Sequence, residues 1–319
     1  MGLFDTRLVW SPFEYPQAYD YWLRQQQAHW LHSEVSLASD INDWKLKLTD
    51  TERNLVGNVL KSFTQAEIIV GEYWGNFVLK VFKKPEIEAM AATFAAFESI
   101  HSVSYSYLNE SLGLTDFAAF LQDPVAKAKI DRLINTKRKT RPEIARSLAV
   151  FSAFTEGVSL FSSFAILLSF SRRNLLKGIG QIISFSIRDE STHSEAGCWL
   201  FRTLVEEYPE LLTDELKKDI YEAARVTVDL EDAFIDKAFE LGSVEGLDPK
   251  DLKHFIRARC NTKLIDLGLK TNWKNIPQES LTNMDWFDYM SAGINHQDFF
   301  SGRVTDYSKG HINWEQMYE

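Results

Sequence analysis

Apolar residues recur at helical spacing along most of the chain, and residues typical of helix ends interrupt them. Thr49–Glu52 (TDTE) has the capping-box pattern, which predicts a long helix that reaches about Phe82. Pro85 occupies a position typical of a first helical turn, and the helix that it begins runs toward Gly113. The first third of the chain therefore predicts two long helices in succession.

Residues typical of helix starts and ends predict five more helices. They begin at Asp123 and Pro124, at Pro142, after Gly178 and Gly180, at about Leu212, and at Asp248. The helix from Pro142 carries Glu156 and ends near Arg172, the next one reaches about Tyr208, and the one after it ends at Gly242. From about Gly302 the sequence is polar and aperiodic, which predicts a flexible tail.

Glycine and proline are scarce, at 15 and 8 residues, and the turn-rich punctuation of a many-stranded protein is missing. We therefore predict an all-α fold with one domain over residues 1–301 and a flexible C-terminal tail over residues 302–319. The apolar segment 149–170 contains Glu156, which a bilayer would penalise by roughly 2.5–3.5 kcal/mol. This segment predicts a helix buried in protein, so no membrane association is expected.

Charge and cysteine usage narrow the function further. The net charge is −10, and the isoelectric point of about 5.3 argues against a nucleic-acid surface. The two cysteines, Cys198 and Cys260, form no CxxC pattern, so a disulfide framework or a thiolate metal site is not expected. A reducing cytoplasm fits this composition.

Acidic residues three positions before a histidine are the strongest chemical signal. Three such pairs occur: Glu98/His101, Glu190/His193 and Asp251/His254. Chance alone gives about one pair, and the third lies in a charged helix start, where a solvated surface pair is expected. In FESIHSVSYSY (97–107), by contrast, Glu98, His101 and Tyr105 share one face of an apolar helix. Ionisable groups on a buried face are costly unless they are paired or bind a metal.

Each of the other two pairs follows a helix with one isolated glutamate, Glu67 in the first case and Glu156 in the second. Two lone glutamates and two Glu-x-x-His pairs on four helices are the pattern of a dinuclear metal site in a ferritin-like bundle. Four carboxylates and two neutral imidazoles balance two divalent ions, and these ligands suit iron or manganese. The alternative is that the six residues form buried salt bridges with a structural role only.

Three of these segments resemble the small, radical-generating subunit of class I ribonucleotide reductase. They are FESIHSVSY (97–105), FTEGVSLF (154–161) and SIRDESTH (186–193). The segment AHWLHSEVSLASDINDW (28–44) resembles the N-terminal part of that family, and DFFSGRVTDYSKGHINW (298–314) resembles its C-terminal tail. The resemblance thus covers nearly the whole chain.

The resemblance implies a role for each candidate residue. The implied ligands are Glu67, Glu98 and His101 for one metal ion, and Glu156, Glu190 and His193 for the other. Tyr105 falls where the family has its radical tyrosine. Trp30 and Asp189 match the residues that link the metal-bound histidine to the protein surface, and Tyr307 matches the tail tyrosine that relays the radical.

The implied function is to generate and store an oxidising equivalent and to pass it to a large catalytic subunit for deoxyribonucleotide synthesis. The resemblance further implies a cytoplasmic homodimer that binds the large subunit through residues 302–319. Most of the family has aspartate where this chain has Glu67, and the longer carboxylate occurs in subgroups with manganese–iron or dimanganese centres. The cofactor is therefore expected to be two iron ions, manganese and iron, or two manganese ions, with Tyr105 or the high-valent cluster as the store.

Two other functions are compatible with a dinuclear site in a helical bundle. An oxygen-activating oxidase or monooxygenase would need a substrate cavity and no long-range relay, so Trp30, Asp189 and the tail argue against it. A ferritin-like iron store is usually a much shorter chain that assembles into a cage. Particle size in solution would separate a dimer of 36.8 kDa chains from a cage.

Overall fold

A computed structural model of the chain describes residues 2–114, 124, 127–128 and 139–301, with the side chains of 64–68 and 292–301 excepted. Within these ranges the protein consists of α-helices and loops and has no β-strand. The predicted all-α fold is therefore confirmed. The predicted helix after Asp123 and the predicted tail over residues 302–319 lie largely or wholly outside the described residues.

The α-helices are numbered in chain order. They are α1 (Pro16–Gln27), α2 (Ala38–Leu46), α3 (Asp50–Glu72), α4 (Pro85–Ser111), α5 (Arg141–Val150), α6 (Phe161–Arg172), α7 (Lys177–Glu207), α8 (Asp214–Ala238), α9 (Pro249–Asp266) and α10 (Gln278–Ser301). Two π-helical segments, Tyr73–Val78 and Phe151–Thr155, continue α3 and α5. A last α-helical turn (Leu79–Val81) follows the first of them, and His32–Glu34 and Pro209–Leu211 are short 3-10 turns.

Side chains at the predicted helix starts make the expected capping bonds. The Thr49 hydroxyl accepts a hydrogen bond from the Glu52 backbone N–H at 3.2 Å, and the Glu52 carboxylate accepts one from the Thr49 N–H at 2.9 Å. Asp248 accepts a hydrogen bond from the Lys250 N–H at 2.7 Å at the start of α9. The capping box and the first-turn prolines, Pro85 and Pro142 among them, are confirmed.

The prediction that Gly178 and Gly180 precede a helix is wrong, because both lie in the first turn of α7. A Cβ atom at Gly178 would lie 2.7 Å from the Ser36 carbonyl oxygen, so only glycine allows the segment just before α2 to approach this closely. Asp40 of α2 then accepts hydrogen bonds from the N–H groups of Gly178 and Ile179, at 3.1 and 2.8 Å. An aspartate from another helix thus caps α7 and complements its dipole.

The predicted helix from Pro142 to Arg172 is interrupted. After the π-helical segment Phe151–Thr155 the chain turns over residues 156–160 before α6 begins. Three helices, α1, α2 and α10, are additional to the predicted ones, and α8 ends at Ala238 rather than at Gly242. The break at Glu156 matters most, because it sets the direction of a candidate ligand.

The core lies where the long helices meet. Helix α4 packs against α1 and α3, while α7 packs against α5, α6 and the π-helical segment Phe151–Thr155. Helix α6 is buried from Phe161 to Phe170, as the sequence predicts for this apolar segment. None of the helices in the described part of the chain has the length and apolar content that crossing a membrane requires.

Candidate metal centre

The candidate ligands come from three places in the bundle. Helix α4 carries Glu98 and His101, helix α7 carries Glu190 and His193, and Glu156 begins the turn after the second π-helical segment. All five are buried, with at most 1% of each residue exposed. The helical spacing of the two Glu-x-x-His pairs turns each glutamate and its histidine toward the same interior space.

Four of these side chains converge on one point. Glu98, Glu156, Glu190 and His193 each offer one ligand atom, and these atoms all lie within 4.8 Å of one another. The fifth candidate, His101, adjoins them, with its Nδ1 atom 3.0 Å from Glu190 Oε1 and 3.2 Å from Glu98 Oε2. The structure thus brings together side chains from both halves of the sequence.

The sixth candidate ligand, Glu67, lies in α3, but its side chain is outside the described residues. Helix α3 approaches α4 at this level, since a Cβ atom at Gly71 would lie 3.3 Å from Glu98 Cβ. Tyr307 is likewise outside the described residues. The roles of both remain predictions.

Several buried polar atoms of the cluster make no hydrogen bond within the part of the chain that the structure describes. They are Glu98 Oε1, Glu156 Oε2, both carboxylate oxygens of Glu190 and both ring nitrogens of His193. His193 Nδ1 lies 2.7 Å from Glu98 Oε1 without hydrogen-bond geometry. Leaving such groups buried and unpaired costs several kcal/mol. Oxygen and imidazole donors that surround a shared point fit divalent iron or manganese.

The electrostatics of the cluster without metal are those of crowded negative charge. Burial, followed by repulsion from Glu190, raises the pKa of Glu156 well above its ordinary value. Burial, with repulsion from Glu98, raises the pKa of Glu190 to about 8. Burial also raises the pKa of Glu98, but attraction to His193 and a hydrogen bond with His101 outweigh it, so this pKa lies below its ordinary value. In the metal-free protein, protons on Glu156 and Glu190 thus reduce the negative charge that metal cations would otherwise balance.

A second set of contacts connects the cluster to α1 and to the loop that follows it. The Asp189 Oδ2 atom lies 3.2 Å from His101 Nε2 and accepts a hydrogen bond from Trp30 Nε1 at 2.8 Å. The Asp189 Oδ1 atom accepts a hydrogen bond from Gln25 Nε2 at 2.9 Å. Burial opposes ionisation of Asp189, but the hydrogen bond with His101 outweighs it and lowers the pKa. An ionised Asp189 holds the proton of His101 on Nε2 and leaves Nδ1 facing the cluster.

Tyr105 lies one helical turn beyond His101 on the buried face of α4. Its side chain is fully buried, and its ring centroid lies 6.1 Å from that of His101. The Tyr105 ring stacks on Phe63 at a centroid distance of 4.7 Å. The tyrosine is therefore close to the cluster and shielded from solvent.

The third acidic–histidine pair has different surroundings. His254 Nδ1 lies 2.8 Å from Ser280 Oγ, and the Asp251 carboxylate accepts a hydrogen bond from Asn283 at 2.8 Å. Both contacts join α9 to α10, far along the sequence from the cluster. The pair serves helix packing.

Two buried polar residues beside the candidates are absent from the sequence predictions. Gln25 was missed because helix α1 was not predicted, although the buried positions Ala18, Tyr21 and Gln25 follow helical spacing. Trp74 donates a hydrogen bond from Nε1 to Glu156 Oε1 at 2.6 Å. No spacing rule links two residues 82 positions apart, so the sequence carried no signal for this contact.

Comparisons with known proteins agree with this geometry. A family model described as "Ribonucleotide reductase, small chain" matches residues 7–279. A probable ribonucleoside-diphosphate reductase small subunit of Invertebrate iridescent virus 3 is 34% identical, over 97% of this chain and 86% of that protein.

Solved structures show the same fold. The ribonucleotide reductase R2 subunit from Clostridium botulinum superposes with a TM-score of 0.82 at 20% identity, over 91% of this chain and 94% of that one. Streptococcus sanguinis dimanganese(II)-NrdF superposes with a TM-score of 0.74 at 23% identity, over 88% of this chain and 99% of that one.

Proposed function

Because this chain belongs to the family of ribonucleotide reductase small chains, we propose that it generates and stores the oxidising equivalent for ribonucleoside-diphosphate reduction. The main observation in support is the buried cluster of Glu98, Glu156, Glu190 and His193. Polar atoms of these side chains that make no hydrogen bond with described residues surround one point. The direct contact between His101 and Asp189 then gives this cluster a hydrogen-bonded connection to Trp30. A purely structural salt-bridge cluster needs no such connection.

We assign the cluster as a dinuclear metal centre. The proposed ligands are Glu67, Glu98 and His101 for one ion, and Glu156, Glu190 and His193 for the other. Two redox-active ions bound there would supply the oxidising equivalent. Iron, manganese with iron, and two manganese ions all suit these donors, and the dimanganese form of the Streptococcus sanguinis relative supports manganese as an occupant to test.

Tyr105 is the proposed store. Its complete burial keeps water and small reductants away from the ring, which a long-lived oxidised side chain requires. The ring lies 6.1 Å from that of His101, so an electron has a short path to the cluster. Phe63 covers one face of the ring and cannot itself be oxidised as easily.

The proposed relay runs from His101 through Asp189 to Trp30 and then to Tyr307 in the tail. Asp189 holds the proton on His101 Nε2 and orients the Trp30 indole at the same carboxylate oxygen. Residues 302–319 act as the tail that binds the large catalytic subunit, while residues 1–301 form the metal-binding domain of a cytoplasmic homodimer. The large subunit carries out the reduction that yields deoxyribonucleotides.

The relay separates this function from an oxygen-activating oxidase or monooxygenase on the same fold. Such an enzyme needs a substrate cavity at its metal centre. The contacts of Asp189 with both His101 and Trp30 favour a path to a second subunit.

The proposal is tested by adding metal to the purified protein and assaying deoxyribonucleotide formation with and without a ribonucleotide reductase large subunit. We expect two metal ions per chain and turnover only in the mixture. Glu190→Ala should lose both metal and turnover. Metal-dependent turnover of another substrate without a large subunit would favour the oxidase instead.

A further inference from the structure

We propose that Trp74 is a positioning residue for the candidate ligand Glu156, and that its indole N–H fixes which carboxylate oxygen is left for metal. The inference rests on the proposed metal-binding function. It concerns how Glu156 binds metal, and it assigns Trp74 no contact with metal.

The contact is short, buried and directional. Trp74 Nε1 donates to Glu156 Oε1 at 2.6 Å, and both side chains are fully buried. The other oxygen, Glu156 Oε2, makes no hydrogen bond with any described residue. One oxygen of this carboxylate is therefore occupied by a protein donor, while the second remains open to a ligand.

The backbone of both helices is shaped for this contact. Trp74 lies in the π-helical segment Tyr73–Val78, and Glu156 follows the π-helical segment Phe151–Thr155. The rings of Tyr73 and Phe151 stack at a centroid distance of 3.5 Å and an interplanar angle of 7°, which joins the two segments. Single π-helical turns inside α-helices are frequent at functional sites.

Neighbouring rings hold the indole in one orientation. Phe94 meets the Trp74 ring edge-on, with centroids 4.9 Å apart and an interplanar angle of 89°. The candidate ligand His193 lies on another side, at a centroid distance of 6.1 Å. The N–H therefore has little freedom to follow Glu156 if the carboxylate moves.

The main chain at Glu156 is also held. Its N–H donates to the Phe151 carbonyl oxygen at 3.0 Å, and Arg259 Nε donates to the Gly157 carbonyl oxygen at 2.6 Å. The remaining freedom lies in the side-chain torsions of Glu156. A carboxylate beside two ions can bind through one oxygen, through both, or as a bridge. Once metal has displaced the proton of Glu156, the hydrogen bond from Trp74 to Oε1 would be charge-assisted and would favour metal binding through Oε2.

The test replaces the donor while keeping the ring. Trp74→Phe keeps an aromatic side chain without an N–H, and incorporation of benzothienylalanine at position 74 keeps the full indole shape without an N–H. Trp199→Phe is the matched control, because Trp199 lies on the same helix as His193 and packs against Tyr21. Each protein is titrated with Mn²⁺ by equilibrium dialysis and loaded with Co²⁺ for visible absorption spectra. Thermal unfolding of the metal-free forms shows whether each variant is folded.

We expect the wild type and Trp199→Phe to bind two Mn²⁺ ions with the same affinity. Both Trp74 replacements should lower the affinity for at least one Mn²⁺ ion by about 10–100-fold. This is the usual effect of losing a residue that hydrogen-bonds a metal ligand. They should also change the Co²⁺ spectrum, because Glu156 Oε1 becomes available to metal.

Wild-type metal affinity and an unchanged Co²⁺ spectrum in the benzothienylalanine protein would overturn the proposal, even if Trp74→Phe is impaired or misfolded. That result would assign Trp74 to packing alone. A wild-type protein that binds no Mn²⁺ or Co²⁺ would instead contradict the proposed metal centre itself.

Discussion

The Trp30 indole N–H donates to Asp189 Oδ2 at 2.8 Å, and the same carboxylate oxygen lies 3.2 Å from His101 Nε2. One oxygen atom thus joins a tryptophan in the loop after α1 to a histidine at the cluster. The three side chains are at most 2% exposed, so their contacts are not screened by solvent. This arrangement leads to the first two predictions.

Trp30→Phe should abolish nucleotide reduction while two metal ions stay bound, because a phenylalanine ring is much harder to oxidise. The lost hydrogen bond to a charged acceptor should lower the free energy of unfolding by only about 1–3 kcal/mol. Activity with a large subunit, metal analysis and thermal melts check this prediction. Turnover near the wild-type rate would remove Trp30 from the relay.

Asp189→Asn should weaken metal binding by about 10–100-fold, because a neutral amide no longer holds the proton on His101 Nε2 and reduces the basicity of Nδ1. Mn²⁺ titration of the variant measures the effect. Ser191→Ala is a suitable control, since the Ser191 hydroxyl donates to the Ile187 carbonyl oxygen on the same helix. Equal affinities in the wild type and Asp189→Asn would contradict the role given to Asp189.

Deleting residues 303–319 should abolish reductase activity and leave the metal content of the chain intact. The expected reason is loss of the segment that binds the large subunit and carries Tyr307. Tyr307→Phe in the full chain should also lose activity but still bind the large subunit. Full activity after the deletion would refute the assignment of this partner to the tail.

Raising the pH from 5 to 8 should destabilise the metal-free protein. Burial raises the folded-state pKa of Glu190 to about 8 from an ordinary 4.5, so over this range the native state keeps a proton that the unfolded state has lost. His101 acts in the same direction. Burial opposes its charge, but the carboxylates of Asp189, Glu190 and Glu98 beside its ring hold its pKa well above 6.5. The lowered pKa of Glu98 changes stability only below about pH 4.5.

Thermal melts of the metal-free protein at intervals across this pH range test the sign. Glu190→Gln should flatten the decline, because the amide does not titrate. Metal should bind more tightly as the pH rises, since it displaces protons from Glu156 and Glu190. Stability that increases from pH 5 to 8 without metal would contradict the charge arrangement described for the cluster.

Local patterns predicted much of the fold and part of the site. The spacing of Glu98 and His101 is fixed by one helix, so their shared face follows from helical geometry without tertiary information. Thr49 and Pro85 act within a single turn, and their helix starts were predicted correctly. These features depend on neighbours in sequence.

The features that were missed depend on distant contacts. Gly178 lies inside α7 because the segment just before α2 approaches it and Asp40 caps it, and neither fact is visible in the local sequence. The turn at Glu156 follows a π-helical segment, whose extra residue shifts the direction of the carboxylate without a sequence signature. The Trp74 contact requires both π-helical segments at once.

The most direct test of the central claim is electron paramagnetic resonance and turnover of wild type and Tyr105→Phe, each loaded in turn with iron and with manganese. Both proteins should bind two ions, because Tyr105 is not a proposed ligand. The active wild type should show a sharp tyrosyl signal, and Tyr105→Phe should lose that signal and its nucleotide reduction together. Full activity in Tyr105→Phe would contradict storage on Tyr105 and would assign the oxidising equivalent to the metal centre.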